Sequence, residues 1–307
     1  MTEFDIKERY KYLRDVIIRN YFSNLNDEQI NAVLSEGEAI LVAACPGAGK
    51  THVIVNRIVY LTLFGYVYKS ENIPEGIGQK DLDELNELNE YIKSNNPLKK
   101  QKFPKSLTYY SVSIDNIVVI TFTKMAAKSM KDRYLKISGS KRSPFFGTFH
   151  SLFYRILSKY HSEISIISEG EIYGVINAVL DKYLDFVKED EVRGVINDIS
   201  HYKNNKLLGL EYETQTDTKV FMESLMAYEE YKLKNKLLDF DDIVINCIKL
   251  FEKNPNILNS YKRLFKNILV DEFQDCDSEQ IYMLKLLSKG NKIFAVGDED
   301  QCIYGFR

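Results

Sequence analysis

Ala39-Ile40-Leu41-Val42-Ala43 runs directly into Ala44-Cys45-Pro46-Gly47-Ala48-Gly49-Lys50-Thr51, and beyond it Val53, Ile54, Ile58 and Leu61 recur at helical spacing. A short apolar run before a glycine-rich turn is the pattern of a buried parallel strand. The order is therefore strand, glycine loop, helix. The middle segment matches a phosphate-binding loop, with Ala44 where the first position usually holds Gly. Gly47 and Gly49 let backbone N–H groups turn inward around phosphate oxygens. Lys50 is placed to reach β and γ phosphates, and the Thr51 hydroxyl to hold Mg²⁺. The helix behind them points its N-terminus at the anion. The bland alternative is a glycine turn before a helix with a surface lysine. The whole succession of strand, loop and amphipathic helix argues against it, and the implied ligand is a nucleoside triphosphate.

Outward from this loop, further strands precede polar residues. Ile117 to Thr121 leads into a helix carrying Ala126, Ala127 and Met130; Ile268 to Val270 ends at Asp271; Ile293 to Val296 ends at Gly297 and Asp298. Strands alternating with helices imply an α/β fold, a parallel sheet flanked by helices, with its ligand site just past the strand ends. Asp271 and Glu272 are adjacent carboxylates at such an end. Asp271 suits a Mg²⁺ shell, and Glu272 suits the orientation and deprotonation of an attacking water. An acidic loop capping the next helix is the alternative when the pair is read without the phosphate loop.

Two stretches interrupt the alternation. Residues 65–113 are polar and hold three of the six prolines, so they read as an insertion, with an exposed helix over Asp81 to Lys93. Residues 162–236 read as mostly helical, with Val175, Val179, Tyr183 and Phe186 at helical spacing, and form an inserted subdomain. The N-terminal segment reads as a helix up to Phe22, and Asn26 as the N-cap of a second helix.

Composition bounds the rest. With 45% hydrophobic and 28% charged residues over 307 positions, the chain is an ordinary globular protein of about two domains. No apolar run is long enough to span a bilayer, and Glu3, Asp5, Lys7, Glu8 and Arg9 make the N-terminus too charged for a secretory signal. The cytoplasm is the expected compartment. Cys45, Cys247, Cys276 and Cys302 are too dispersed for a zinc site or disulfide framework. The net charge of −3 offers nucleic acid no global attraction, so any such contact needs a local surface.

The motifs taken together resemble superfamily 1 DNA helicases of the UvrD/Rep/PcrA family. Leu25-Asn26-Asp27-Glu28-Gln29 resembles the Q motif. The phosphate loop follows, then Thr121-Phe122-Thr123 with Ala126-Ala127, Gly147-Thr148-Phe149-His150-Ser151, Leu238-Asp239-Phe240-Asp241-Asp242 and Asp271-Glu272-Phe273-Gln274-Asp275. Last come Gly297-Asp298-Glu299-Asp300-Gln301 and Ile303-Tyr304-Gly305-Phe306-Arg307. The resemblance implies a RecA-like subdomain 1A over 1–161 and 237–307, carrying the 65–113 insertion, and a helical subdomain 1B over 162–236.

It also implies residue roles. ATP and Mg²⁺ would be held by Gln29, by the loop Ala44, Cys45, Pro46, Gly47, Ala48, Gly49, Lys50 and Thr51 with His52, and by Asp271. Lys50, Glu272 and Gln301 would be catalytic, Gln301 sensing the γ-phosphate. Gln29 would select adenine, since an amide offers both a donor and an acceptor; Asn26-x-x-Gln29 equally reads as a helix capping box. Phe122, Thr123, Thr148, His150, Tyr304 and Phe306 would meet single-stranded DNA. Phe122, Tyr304 and Phe306 would stack on bases, against ordinary core packing as the alternative, and Thr148 and His150 would touch the backbone. Two positions depart from the family: Lys124-Met125 stands where Asn-Lys is usual, and His52 where Arg is. The cluster Lys99, Lys100, Lys102 and Lys105 reads as a solvated charge run or as a further DNA contact.

The implied activity is that of a monomeric 3′-to-5′ translocase acting on single strands and duplex–single-strand junctions. The motor of an AddA-type helicase–nuclease and a non-motor nucleotide-binding module are the alternatives. The motifs end at the third of the family's set, so a second RecA-like domain is expected to complete the ATP site, and this segment by itself is expected to hydrolyse poorly.

Overall fold

The computed structural model describes residues 2–94, 102–161 and 164–298. The chain opens with α1 (Glu3–Tyr21) and α2 (Asp27–Leu34), followed by β1 (Ala39–Ala43) and α3 (Lys50–Leu63). Both α1 and α2 start in capping boxes, Thr2 with Asp5 and Asn26 with Gln29. Next come α4 (Gln79–Lys93), the one-turn α5 (Lys105–Thr108), β2 (Ile117–Ile120), α6 (Lys124–Ser138) and β3 (Phe145–Gly147). Then follow α7 (Phe149–Leu157), β4 (Ser165–Ile166), α8 (Glu169–Leu180), α9 (Glu189–Leu208), α10 (Thr218–Asn235), β5 (Leu237–Leu238) and α11 (Phe240–Lys253). The chain continues through α12 (Pro255–Leu264), β6 (Asn267–Val270), α13 (Ser278–Ser288) and β7 (Lys292–Gly297). No helix among the described residues is long and apolar enough to cross a membrane.

These elements divide into two compact units: Phe149–Asn259 with Asp277–Leu286 make one, and the remaining described residues the other. The larger unit is built on a five-stranded sheet in the order β1-β7-β6-β2-β3. Every pairing in it is parallel. Ile268, Leu269 and Val270 of β6 are buried, as are Val118, Val119 and Ile120 of β2, the continuous burial that marks central strands of a parallel sheet. In the register Ala43 lies opposite Gly297, while Val270 lies opposite Ala295 and Ile120, and Ile120 opposite Gly147, so β1 and β7 run two residues past the ends of the other three strands. The loops after all five parallel strands leave from one edge.

The helix expected over Asp81 to Lys93 exists, but it is not an exposed one. Leu82, Leu85 and Leu88 are buried, and α4 packs on α1 within the main core. Three leucines at threefold spacing make one apolar face, while the acidic residues that suggest exposure occupy the other. Further bonds tie the 65–113 segment down: Arg14 donates to the carbonyls of Ser70 (2.8 Å) and Asn72 (2.9 Å), and the Tyr10 hydroxyl to that of Ser106 (2.8 Å).

The smaller unit is mostly helical. Its core joins Ile176 and Leu180 of α8, Val192, Val195 and Ile199 of α9, and Phe221 and Tyr228 of α10. It contains α7 to α11. The two-residue ladder β4–β5 closes the excursion, with Ser165 opposite Leu237.

Candidate active site

The loop after β1 takes its shape from two glycines. Gly47 has φ +80° and Gly49 φ +85°, in the left-handed region that favours glycine. Gly49 is also the cap from which α3 begins. A Cβ on Gly49 would lie 2.8 Å from Nε2 of Gln29. That amide donates to the Ala48 carbonyl at 2.9 Å. The same side chain completes the cap of α2, since the Asn26 N–H donates to its Oε1 (3.3 Å) and its own N–H donates to Asn26 Oδ1 (2.8 Å). Gln29 therefore caps a helix and touches the phosphate loop at once.

Lys50 opens α3 and turns its amine toward the neighbouring strand ends. Its Nζ is 3.3 Å from Oε2 of Glu272, after β6, and 3.4 Å from Oδ2 of Asp298, after β7. Burial works against its charge, but the two carboxylates outweigh burial and hold the amine above its ordinary pKa. Thr51 follows on the same helix turn, and His52 comes next, its N–H donating to the Gly49 carbonyl at 2.8 Å.

Asp271 is buried at the end of β6, its N–H donating to the Ile120 carbonyl at 2.8 Å. Burial, then the adjacent Glu272 charge, push its carboxyl up to about 6. Its Oδ1 is a buried oxygen without a hydrogen-bond partner among the described residues, and the Thr121 hydroxyl at the end of β2 lies close enough to the carboxyl to work against the rise. A buried polar atom left bare costs roughly 1–3 kcal/mol. A bare carboxylate oxygen beside a phosphate loop fits a divalent cation, which would meet that cost.

Glu272 adopts φ 50°, ψ 50° and starts a single 3₁₀ turn, Phe273–Asp275. A left-handed non-glycine residue costs on the order of 1–3 kcal/mol. Here it turns the second carboxylate back toward Lys50. Gln274, two residues on, donates from Nε2 to Glu272 Oε2 at 2.9 Å and accepts from the Asp298 N–H at Oε1 at 3.0 Å.

The residues read as strand-facing are distributed as follows. Phe122 is 50% exposed just past β2, so it faces solvent and not the core. Thr123 is the N-cap of α6, its hydroxyl accepting from the Ala126 N–H at 3.1 Å. Thr148 is half-buried just past β3. In the smaller unit, His150 on α7 stands edge-on to Phe240 at 5.5 Å between ring centres. Burial lowers its pKa against the pull of Asp241 and Asp277, which favours a neutral imidazole. Gln301, Tyr304, Phe306 and Arg307, and likewise Lys99 and Lys100, lie outside the described residues.

Three residues within the quoted motifs have contacts to which the sequence reading assigned no role. Asp298 joins Lys50, a place its position after β7 already offered. Gln274 has no periodic or compositional signal. Phe240 is 56% exposed, on a helix start whose neighbouring residues are pinned. Lys203 Nζ lies 2.6 Å from both Asp239 and Asp242; Lys232 Nζ lies 2.7 Å from the first and 2.6 Å from the second. Burial raises the Asp239 carboxyl, but the two lysines outweigh it and hold it well below the usual range. Asp239 also caps α11. This network holds the start of α11 against α9 and α10.

A family model described as the UvrD/REP helicase N-terminal domain matches residues 25–73 and 100–307. The ATP-dependent DNA helicase PcrA of Staphylococcus aureus is 32% identical over 298 residues, covering 93% of this chain and 34% of that protein. PcrA of Staphylococcus epidermidis is 32% identical over 297 residues, covering 92% and 34% respectively. The chain thus spans about a third of the length of the curated relatives it matches. Residues 74–99, which carry α4, fall between the two matched stretches.

Proposed function

The chain belongs to the UvrD/REP helicase family, and from that premise we propose that it is the ATP-hydrolysing part of a motor that moves 3′ to 5′ along single-stranded DNA and separates duplex at junctions. One observation carries the proposal. The Lys50 amine lies between the Glu272 and Asp298 carboxylates, where the loops after β1, β6 and β7 leave the sheet.

The chain's own groups account for the work. The Gly47–Gly49 loop and the start of α3 offer N–H groups to the phosphates. Lys50 exchanges its two carboxylate contacts for β and γ oxygens. Thr51 and Asp271 are the residues that would hold Mg²⁺, which when bound neutralises charge on those oxygens. Glu272 orients a water and takes its proton as the water oxygen bonds the γ-phosphorus and the bond to the β-phosphate oxygen breaks, leaving ADP and phosphate. Gln29 reads adenine, and Gln301 senses the γ-phosphate. Phe122, Thr123, Thr148, His150, Tyr304 and Phe306 are the residues assigned to the DNA strand, and Phe240, beside His150, is added to them. A second RecA-like domain is the partner that completes the site, and the working unit is a monomer.

The test is nucleotide titration of Lys50→Ala beside the parent. Affinity should fall at least tenfold, the loss of one charge-assisted contact of about 1.5–3 kcal/mol. Equal affinity would defeat the phosphate-loop assignment.

A further inference from the structure

We infer that Gln274 is a positioning residue for hydrolysis, its one amide group tying the Glu272 carboxylate to the backbone at the end of β7. The inference rests on the reading of Glu272 as the base. Both halves of the amide are engaged, and in opposite senses: Nε2 donates to Glu272 Oε2 at 2.9 Å, and Oε1 accepts from the Asp298 N–H at 3.0 Å. Glu272 and Asp298 are also the two carboxylates on Lys50. The contacts close a ring: Lys50 to Glu272, Glu272 to Gln274, Gln274 to the Asp298 backbone, and the Asp298 carboxylate back to Lys50.

The ring explains two local choices. Glu272 sits in a left-handed conformation that is unfavourable for its residue type, and the Gln274 amide holds the carboxylate that this conformation turns back. Gly297 leaves room for the amide, since a Cβ there would stand 3.1 Å from Gln274 Oε1. When Lys50 moves to phosphate oxygens, Glu272 loses its cation, and Gln274 keeps its carboxylate in place. The same amide makes the segment after β6 and the end of β7 shift together, so a change at Asp298 is felt by the base.

The amide puts its donor and its acceptor on separate atoms, as these two contacts require. Gln274→Glu keeps an acceptor for the Asp298 N–H but places a carboxylate against Glu272. Gln274→Met keeps the shape and loses both bonds. A reacting group misplaced by about 1 Å costs about 10²-fold. Single-turnover hydrolysis on the intact protein with saturating single-stranded DNA should therefore fall about 10- to 100-fold in both variants. Their equilibrium affinity for ATP should stay within about threefold of the parent, because a group acting only in the transition state changes rate and not ground-state binding. Gly297→Ala, which crowds Oε1 without touching Gln274 itself, should lose rate in the same manner and by less.

Lys50→Ala is the reference. If it loses nucleotide while both Gln274 variants hydrolyse like the parent, the positioning role is wrong and the site reading stands. If the Gln274 variants lose affinity in step with rate, Gln274 only shapes the pocket and the inference is overturned. If Lys50→Ala binds as the parent does, the site reading fails and takes this inference with it.

Discussion

Asp271 carries a buried carboxylate with one bare oxygen, and that should make it a cost to the ligand-free fold. Its carboxyl is raised to about 6, by burial first and then by Glu272, against 3.8 for the free group. A folded pKa above the unfolded one means that the native state binds the proton more tightly. The penalty is therefore absent below about pH 4, grows as pH rises through about 6, and is complete above it. Two pKa units correspond to roughly 3 kcal/mol at most. Asp271→Asn should raise the melting temperature of the nucleotide-free protein at pH 8, with a gain that shrinks toward pH 5, while abolishing Mg²⁺-dependent nucleotide binding. Equal stabilisation at both pH values would show that the charge is not the cause. Gln29 invites a second comparison, because helix cap and loop contact share its side chain. Gln29→Glu keeps an oxygen for the Asn26 N–H but loses the donor to Ala48 and to adenine. It should melt within about 1 kcal/mol of the parent, the scale of one cap, yet lose its preference for ATP over GTP in competition binding. Retained preference would leave capping as the residue's whole role. Lys50, Asp271 and Glu272 are legible in the sequence because each follows a strand end or the loop beyond it. Gln274 is not, because it works through partners as far as 24 residues away, Asp298 among them, that no local pattern connects.

At the scale of elements, helix existence follows apolar spacing, and exposure does not follow charge. Asp81, Asp83, Glu84, Glu87 and Glu90 dominate the composition of α4 and suggest a solvated helix, yet Leu82, Leu85 and Leu88 line one face and enter the core. Leu85→Ala removes a fully buried side chain between α4 and its neighbours and should destabilise the protein by about 2–5 kcal/mol in urea unfolding. A change below about 0.5 kcal/mol would return the segment to a loose surface insertion. The same scale explains how the loop and the Q-motif helix stay together. Arg57 is buried on α3, and its Nη1 donates to the Val33 carbonyl at the end of α2. A cation at that end also meets the negative pole of the helix. Strand order lies beyond local reading. Among the described residues the first strand, β1, pairs with the last, β7, with Ala39 opposite Ile293 and Ala43 opposite Gly297. Neither apolar pattern nor spacing announces that pairing, which is fixed only when the helices covering the sheet are packed.

For the whole molecule, the net charge of −3 sets how it can meet a polyanion. No global field draws a strand in, so the proposed binding would have to rest on local cations and on stacking. The motif order makes the sheet's ligand edge legible, because the site motifs follow strands and all five strands run parallel. The bounds of the two compact units are set by packing and not by local pattern, since α7 and α11 group with the smaller unit while their sequence resembles the flanking stretches. The exposed ring of Phe122 separates the two sources of affinity. Binding of an oligothymidylate should weaken with salt at a slope of about −0.7 per phosphate contacted. Phe122→Ala removes a stacking ring and no charge, so it should cost about 1–3 kcal/mol at every salt concentration and leave the slope unchanged. Titrations from about 50 to 200 mM salt, read by fluorescence anisotropy, resolve both quantities. A slope that falls with the substitution would mean that the ring orders a cationic contact, and unchanged affinity at low salt would remove Phe122 from the strand's path. Parallel lines offset by that amount are what a sequence-tolerant stacking platform requires, because every base presents a face to the ring and no phosphate is gained or lost.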